Sequence, residues 1–477
     1  MAQAGKSGAA ALIYVSLAGL QRGVSLLILP FVTQVMSPAE YGAASVLSAT
    51  SLFIIAIIAA PLIQLIVRAA ARDDENGPSL LRAAGTYCYY IFPVIVLPAA
   101  AVVTLFVPTM LGVSGYIWAI ELMAIGFQPA ASTYALWVAQ ARQDLHRFIA
   151  ISLTSVVVTA AAKLIFVVGM RLGVLGWAIS DLVSAVLAAI VAAALVRLPH
   201  AKIDFGQIRY LIMFTLPLVP HSAALWALAS LSRPAMAAVA PADQVGLFAF
   251  GFNLASVASL VLAESNRAAL AHYSREVLPA PTQETLGPVR WQLFAALVVP
   301  ALVGAGVALT GPRLFPESYW PSFGVTGVLL FAQAAYGLYL IPMNYLTQTA
   351  GITRLSALAS GAGAATLLSG ILVFGRRYGA IGVAFTTAAA FAAMAVAALA
   401  LTRISNIRIA WQRWIADWPM ITLASGALVF SFAAITSPAG SANANVLSGV
   451  CILLGLGSLA LATWCGNSTK QFLRERK

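Results

Sequence analysis

Long apolar runs follow one another along almost the whole chain, separated by short polar turns. About 20 apolar residues in a helix cross the hydrocarbon of a bilayer. By that measure fourteen spans are read, at approximately 9–34, 42–67, 83–108, 115–139, 148–170, 173–196, 210–231, 244–271, 291–309, 321–346, 355–375, 380–402, 416–436 and 446–466. No turn between them much exceeds about 15 residues. That leaves no room for an appended soluble catalytic domain, and it argues against a membrane glycosyltransferase or polymerase with a long loop. The pattern predicts an all-α integral membrane protein of about fourteen transmembrane helices.

The basic residues sort in step with this count. With the N-terminus cytoplasmic, 19 Lys and Arg fall on the cytoplasmic side and 5 on the other, while Arg22, Lys163 and Arg267 lie inside spans. Cytoplasmic loops carry the excess of Lys and Arg, and missing or inventing one helix would invert part of the pattern. Both termini are expected to be cytoplasmic.

The chain also repeats itself. Ile165 to Ala178 reads IFVVGMRLGVLGWA and Ile371 to Ala384 reads ILVFGRRYGAIGVA, so that Gly169, Arg171, Gly173 and Gly176 meet Gly375, Arg377, Gly379 and Gly382. Just upstream, Gln128, Tyr134 and Gln143 meet Gln333, Tyr339 and Gln348, and the turn at Ser37–Gly42 has a fainter echo at Pro241–Gly246. Three matches in one order predict two six-helix lobes in parallel repeat. The expected division is 1–198 for helices one to six, 199–209 for a cytoplasmic linker, 210–403 for helices seven to twelve, and 404–477 for two further helices with a basic tail. Prolines within spans, among them Pro30, Pro61, Pro129, Pro217, Pro220, Pro300 and Pro342, each remove a backbone donor and kink the helix.

Composition narrows the picture further. The 477 residues are 61% hydrophobic and 9% charged, too apolar for a soluble fold. The +12 net charge suits basic cytoplasmic loops, and no aromatic-laced basic domain exists to bind nucleic acid. Cys88, Cys451 and Cys465 fall in or beside apolar spans and read as packing residues, and no metal or cofactor motif is present.

The polar residues inside spans are therefore the candidates for chemistry. A charge at membrane depth costs about 2.5–3.5 kcal/mol on the mildest scale, so it faces protein, a partner or a wet cavity. Arg22 sits near the middle of helix one, and His221 lies at similar depth in helix seven. Lys163 and Asp181 each stand nine residues from Leu172 at the turn between helices five and six. They reach one depth and can pair, as a structural ion pair or as a coupling-ion site. Glu264 and Arg267 share a face at three-residue spacing, either neutralising each other or leaving Arg267 to meet an anion at the inner mouth. Glu121, near the outer end of helix four, reads as an interfacial residue, with a proton carrier as the alternative. Gln128, Tyr134, Gln333, Tyr339 and Asn344 give helices four and ten polar faces, for helix packing or for sugar contacts.

A first helix with an internal arginine, the turn Met36-Ser37-Pro38-Ala39-Glu40-Tyr41-Gly42, a second helix ending Leu65-Ile66-Val67-Arg68, and hairpins ending in G-x-L-G-W-A or G-x-I-G-V-A together resemble the polysaccharide transporters. These flippases of lipid-linked oligosaccharide repeat units serve O-antigen, exopolysaccharide and capsule. Their superfamily also holds the multidrug extruders and the lipid II flippase. The resemblance implies two lobes around a central cavity in the bacterial inner membrane. It implies alternating access, no cofactor and no enzymatic step. Its substrate would be an undecaprenyl-diphosphate-linked oligosaccharide, and a polysaccharide polymerase and chain-length machinery are the implied partners beside membrane lipids. Arg22 matches in position the first-helix arginine of the lipid II flippase. An ion-coupled drug extruder and the lipid II flippase itself remain the alternatives of the same fold.

Overall fold

The computed structural model describes residues 23–24, 26–59, 61–71, 77–196, 205–216, 219, 226–227, 230–278, 285–352, 354–407 and 418–474, with side chains as far as 464 and Ala71 as backbone. Among them the only sheet is a two-residue antiparallel ribbon, Thr109–Met110 with Val113–Ser114. Everything else of regular structure is helix.

The first described helix, α1, runs over 26–33 and is followed by α2, Pro38–Ile58. The sequence Ser-Pro-Ala-Glu sets this start. Ser37 Oγ accepts from the Glu40 N–H, Glu40 Oε2 accepts from the Ser37 N–H at 2.8 Å, and Pro38 occupies the first turn. This is a capping box, with proline placed where no N–H is needed. A break around Pro61 leads to α3, Leu62–Ala71. Then come α4 (Gly77–Phe106), α5 (115–141), α6 (Leu145–Gly169), α7 (Gly173–Val196), α8 (Phe205–Thr215) and α9 (Ser232–Ala237). The second half comprises α10 (Ala242–Arg275), α11 (Leu286–Leu314), α12 (Pro321–Thr349), α13 (Arg354–Ile404), α14 (Trp418–Thr436) and α15 (Ala442–Arg474).

Ten helical runs among the described residues are long and apolar enough to cross a membrane. One of them, α13, is 51 residues long and leaves helical geometry at Gly379, so it holds the two sequence spans 355–375 and 380–402. The fourth span is α5. Spans one and seven lie partly outside the described residues. Prolines shape several of these helices. After Pro129 the chain widens into a π-helical stretch, Ala130–Ala135, where the Leu136 N–H reaches back to Ala131 O. A second wide stretch, Tyr345–Thr349, follows Pro342.

Packing divides the chain into two compact units, Met1–Ala238 and Val239–Lys477. In the first, α8 packs on α3 and α4, and α9 packs on α2. Both helices thus sit with the first unit, α8 overlapping the start of span seven and α9 following its end. The core of this unit joins Leu65, Ile66, Leu81, Ala84, Cys88, Tyr134, Val138 and Ile151. In the second unit α10 packs on α11 and α12, α12 on α13, and α14 on α11 and α15.

The two glycine hairpins share a local geometry. Gly173 has φ +54° and Gly379 φ +55°, values that favour glycine. A side chain at Gly173 would meet Glu40 Oε1 at 2.6 Å, and one at Gly379 would meet the Gln244 side chain. Gln244 Oε1 accepts from the Ala380 N–H at 3.1 Å. In each unit, therefore, the third residue of one helix abuts the opening of another.

Candidate functional site

The first unit holds a half-open cavity of about 620 Å³ lined by both polar and apolar side chains. Its walls are written as helical faces in the sequence. Ser155, Thr159 and Lys163 recur every four residues on α6, and Trp177, Asp181 and Ser184 at four and three on α7. Residues three and four apart share a helix face, so each helix turns one polar stripe inward. From α5 come Glu121, Gln128 and Ser132, and from α2 Ser48 and Ser51.

The charged end of the cavity is built around Lys163. Its side chain is 5% exposed, and its ammonium lies 3.0 Å from Asp181 Oδ1. The same nitrogen stands 3.3 Å from the centre of the Trp177 ring, a cation–π contact. Trp177 is itself fixed by α2. Its indole N–H donates to Ser48 Oγ at 3.0 Å, and its edge meets Tyr41. Glu121 completes the group, acted on electrostatically by both Asp181 and Lys163. Expected at the membrane interface, Glu121 is instead 2% exposed, because α5 carries it inward against α2, where it contacts the Ser51 hydroxyl.

The other sequence candidates distribute themselves differently. Gln128 lines the cavity, whereas Tyr134 packs into the apolar core with its ring edge-on to Tyr89. Tyr134 lies within the wide turn Ala130–Ala135, six residues after Gln128, and the two face different ways. In the second unit Arg267 and Glu264 form a 2.7 Å pair with both side chains well exposed. Asn344 is buried in an amide network. Asn266 Oδ1 accepts from Asn344 Nδ2 at 2.7 Å and from Gln292 Nε2 at 2.8 Å, and the Tyr273 hydroxyl donates to Gln292 Oε1 at 2.5 Å. Gln333 and Tyr339 are buried, the latter stacked on Tyr336. Arg22 and His221 lie outside the described residues.

Sequence reasoning passed over Ser51, Thr159 and Trp177 in the first unit, and Asn266 and Gln292 in the second. The four-residue polar spacing on α6 and α7 was the available signal. The amide network has none, because its members lie far apart in the chain. Among the described residues no group of His, Cys, Asp and Glu could hold a metal ion.

Chemically, the first cavity offers hydroxyls, an amide, indole faces and a balanced ion pair. It can hydrogen-bond a polar, hydroxyl-rich molecule, and it holds no activated nucleophile among the described residues. Comparison with curated proteins finds no match. Among solved structures, the chain is similar to a lipid II flippase MurJ in its inward closed conformation. The TM-score is 0.69 at 11% identity, over 94% of this chain and 98% of that one. It is also similar to a multidrug resistance MATE family transporter of the MOP superfamily in an inward-facing conformation, with a TM-score of 0.57 at 14% identity, over 82% of this chain and 94% of that one. At these identities the likeness is one of fold alone. The family model described as polysaccharide biosynthesis protein matches residues 7–271, more than half of the chain. This chain belongs to the polysaccharide biosynthesis protein family.

Proposed function

We propose that the chain is a flippase for an oligosaccharide repeat unit linked to undecaprenyl diphosphate, turned from the cytoplasmic to the periplasmic leaflet of the bacterial inner membrane by alternating access. The observation that carries this reading is membership of a polysaccharide biosynthesis family in a chain whose fold is that of membrane transporters. The polar cavity among α2, α5, α6 and α7 supports it, since a glycan crossing a bilayer needs hydroxyls, amides and aromatic faces in place of water. The diphosphate needs cations, for which the planar fork of arginine is best suited; Arg22 and Arg267 are the residues assigned here. Gln128 is assigned to the glycan. Two related six-helix lobes, with both termini cytoplasmic, are part of the same proposal. The polymer served is an exopolysaccharide or an O-antigen.

Deleting the gene should abolish one surface polymer and build up its lipid-linked repeat unit on the inner leaflet, where an impermeant glycosidase cannot reach it in intact spheroplasts. Accessible repeat units in the deletion strain would refute flipping. Arg22→Ala should abolish polymer export at unchanged protein level, and wild-type export by that variant would remove Arg22 from the substrate path. Lipid II is the rival cargo. Rescue of cells depleted of their lipid II flippase, with the surface polymers untouched by deletion, would replace this reading with that one.

A further inference from the structure

Glu121 has a place in the cavity that neither sugar binding nor helix packing uses. One of its oxygens, Oε2, has no hydrogen-bond partner, although the residue is 2% exposed and lines the chamber. The other, Oε1, is in close contact with Ser51 Oγ. That hydroxyl holds a single hydrogen, and Leu47 O lies 2.9 Å away in the usual back-bonding position for a serine inside a helix. Ser51 Oγ is placed to donate to both Leu47 O and Glu121 Oε1, and its one hydrogen cannot serve both; with that hydrogen on Leu47 O, the contact with Glu121 needs a hydrogen of its own. A carboxylic acid supplies it.

The charges give the same answer independently. Asp181 already occupies the Lys163 ammonium at 3.0 Å. Among the described residues, the chamber thus holds two carboxyl groups and one amine. A buried carboxylate without a counter-charge is neutralised in preference to being desolvated. We propose that Glu121 carries an exchangeable proton and that the chamber formed by α2, α5, α6 and α7 is a proton site.

The groups facing Glu121 come from three helices packed on α5, while α3 packs on its later part, 130–141. They are Ser51 from α2, Lys163 from α6 and Asp181 from α7. From α4 the neighbouring cluster brings Tyr87 with apolar Phe92 and Val96. Val24 of the first helix lines the chamber; Arg22, two positions earlier, lies outside the described residues. When Glu121 releases its proton to water in the chamber, a second carboxylate competes with Asp181 for Lys163. Separation of that ion pair is then linked to the proton, and the linkage runs equally in both directions. The site stands on the geometry of the first unit and is independent of the cargo.

Infrared difference spectra of the full-length protein in detergent, across a pH step and in light and heavy water, test the proposal. A carboxylic acid carbonyl band that shifts on deuteration should be present at neutral pH and lost in Glu121→Gln. It should persist in Glu264→Gln, which alters an exposed acid. Asp181→Asn frees Lys163 and should move loss of the band to lower pH, while Lys163→Met should move it to higher pH. No such band at any pH, or a band indifferent to Glu121→Gln, overturns the proposal. The wild-type chain gives a second arm that does not depend on how a variant folds. A hydrophobic carbodiimide, which attacks protonated carboxyls, should leave an adduct on Glu121 that declines as pH rises, read by mass spectrometry. An unlabelled Glu121 at every pH also overturns it.

Discussion

Lys163 shows how much rests on one side chain in a low-dielectric setting. Its ammonium serves Asp181 and Trp177 together and acts on Glu121. Removing one partner of a buried pair leaves the other charge uncompensated, at a cost of about 3–5 kcal/mol, which for Lys163 is reduced to the extent that Glu121 replaces Asp181. Lys163→Ala and Asp181→Ala should each lower the melting temperature in detergent, and the double variant should recover part of the loss. A loss in the double equal to the sum of the two single losses would mean that the two act separately. In the second unit, Asn266 accepts from two amides at once. Asn266→Leu leaves two buried donors without an acceptor, at about 1–3 kcal/mol, and should be more damaging than Asn344→Leu, which removes one. Thermal unfolding of both variants decides. The Lys163–Asp181 contact was legible because both residues stand equally far from their turn. The burial of Glu121 was not, because its contact with Ser51 spans 70 positions, and no local pattern encodes a pairing at that separation.

At the scale of helices, the recurring device is an acid or amide early in one helix set against a glycine that opens another. Glu40 closes its own capping box and lies against Gly173, while Gln244 lies against Gly379 and accepts from the Ala380 N–H. The repeat in sequence pointed to these glycines. Their common positive φ gives the reason, since a left-handed residue with a β-carbon costs about 1–2 kcal/mol before any clash. Gly173→Ala should therefore destabilise by at least that amount. Adding Glu40→Ala should return only the part due to the clash, as a double-mutant cycle in chemical unfolding would show. Ser37→Ala, which removes one cap, should cost about 1 kcal/mol. Boundaries were harder to read than existence. Proline positions were visible, yet the wide turns that follow Pro129 and Pro342 depend on how neighbouring helices take up the freed carbonyls.

For the molecule as a whole, hydropathy and the sorting of basic residues were enough to foresee a helical membrane protein, because bilayer thickness imposes span length on every segment alike. Which span packs with which half was another matter. The start of span seven, in α8, packs on α3 and α4, and α9 after it packs on α2, within the first unit, through contacts that periodicity cannot express. The chamber followed the same rule. Its individual stripes were present in the sequence, and their convergence required the fold. If the chamber takes glycan, Gln128→Leu should slow flipping of reconstituted lipid-linked oligosaccharide while Tyr134→Phe, altered in the apolar core, should not. Equal rates for all three proteins would remove the chamber from the path.

The wide turn at Ala130–Ala135 divides α5 between two ends of that chamber, with Glu121 and Gln128 before it and Leu136 and Trp137 after it. A π turn stores one residue more than α-helical winding needs. Were that surplus residue drawn out into ordinary winding, everything beyond would rotate by about 100° about the helix axis. Trp137 would leave the chamber wall while Gln128 stayed. Such a change would alter which side chains line the chamber with no helix tilting.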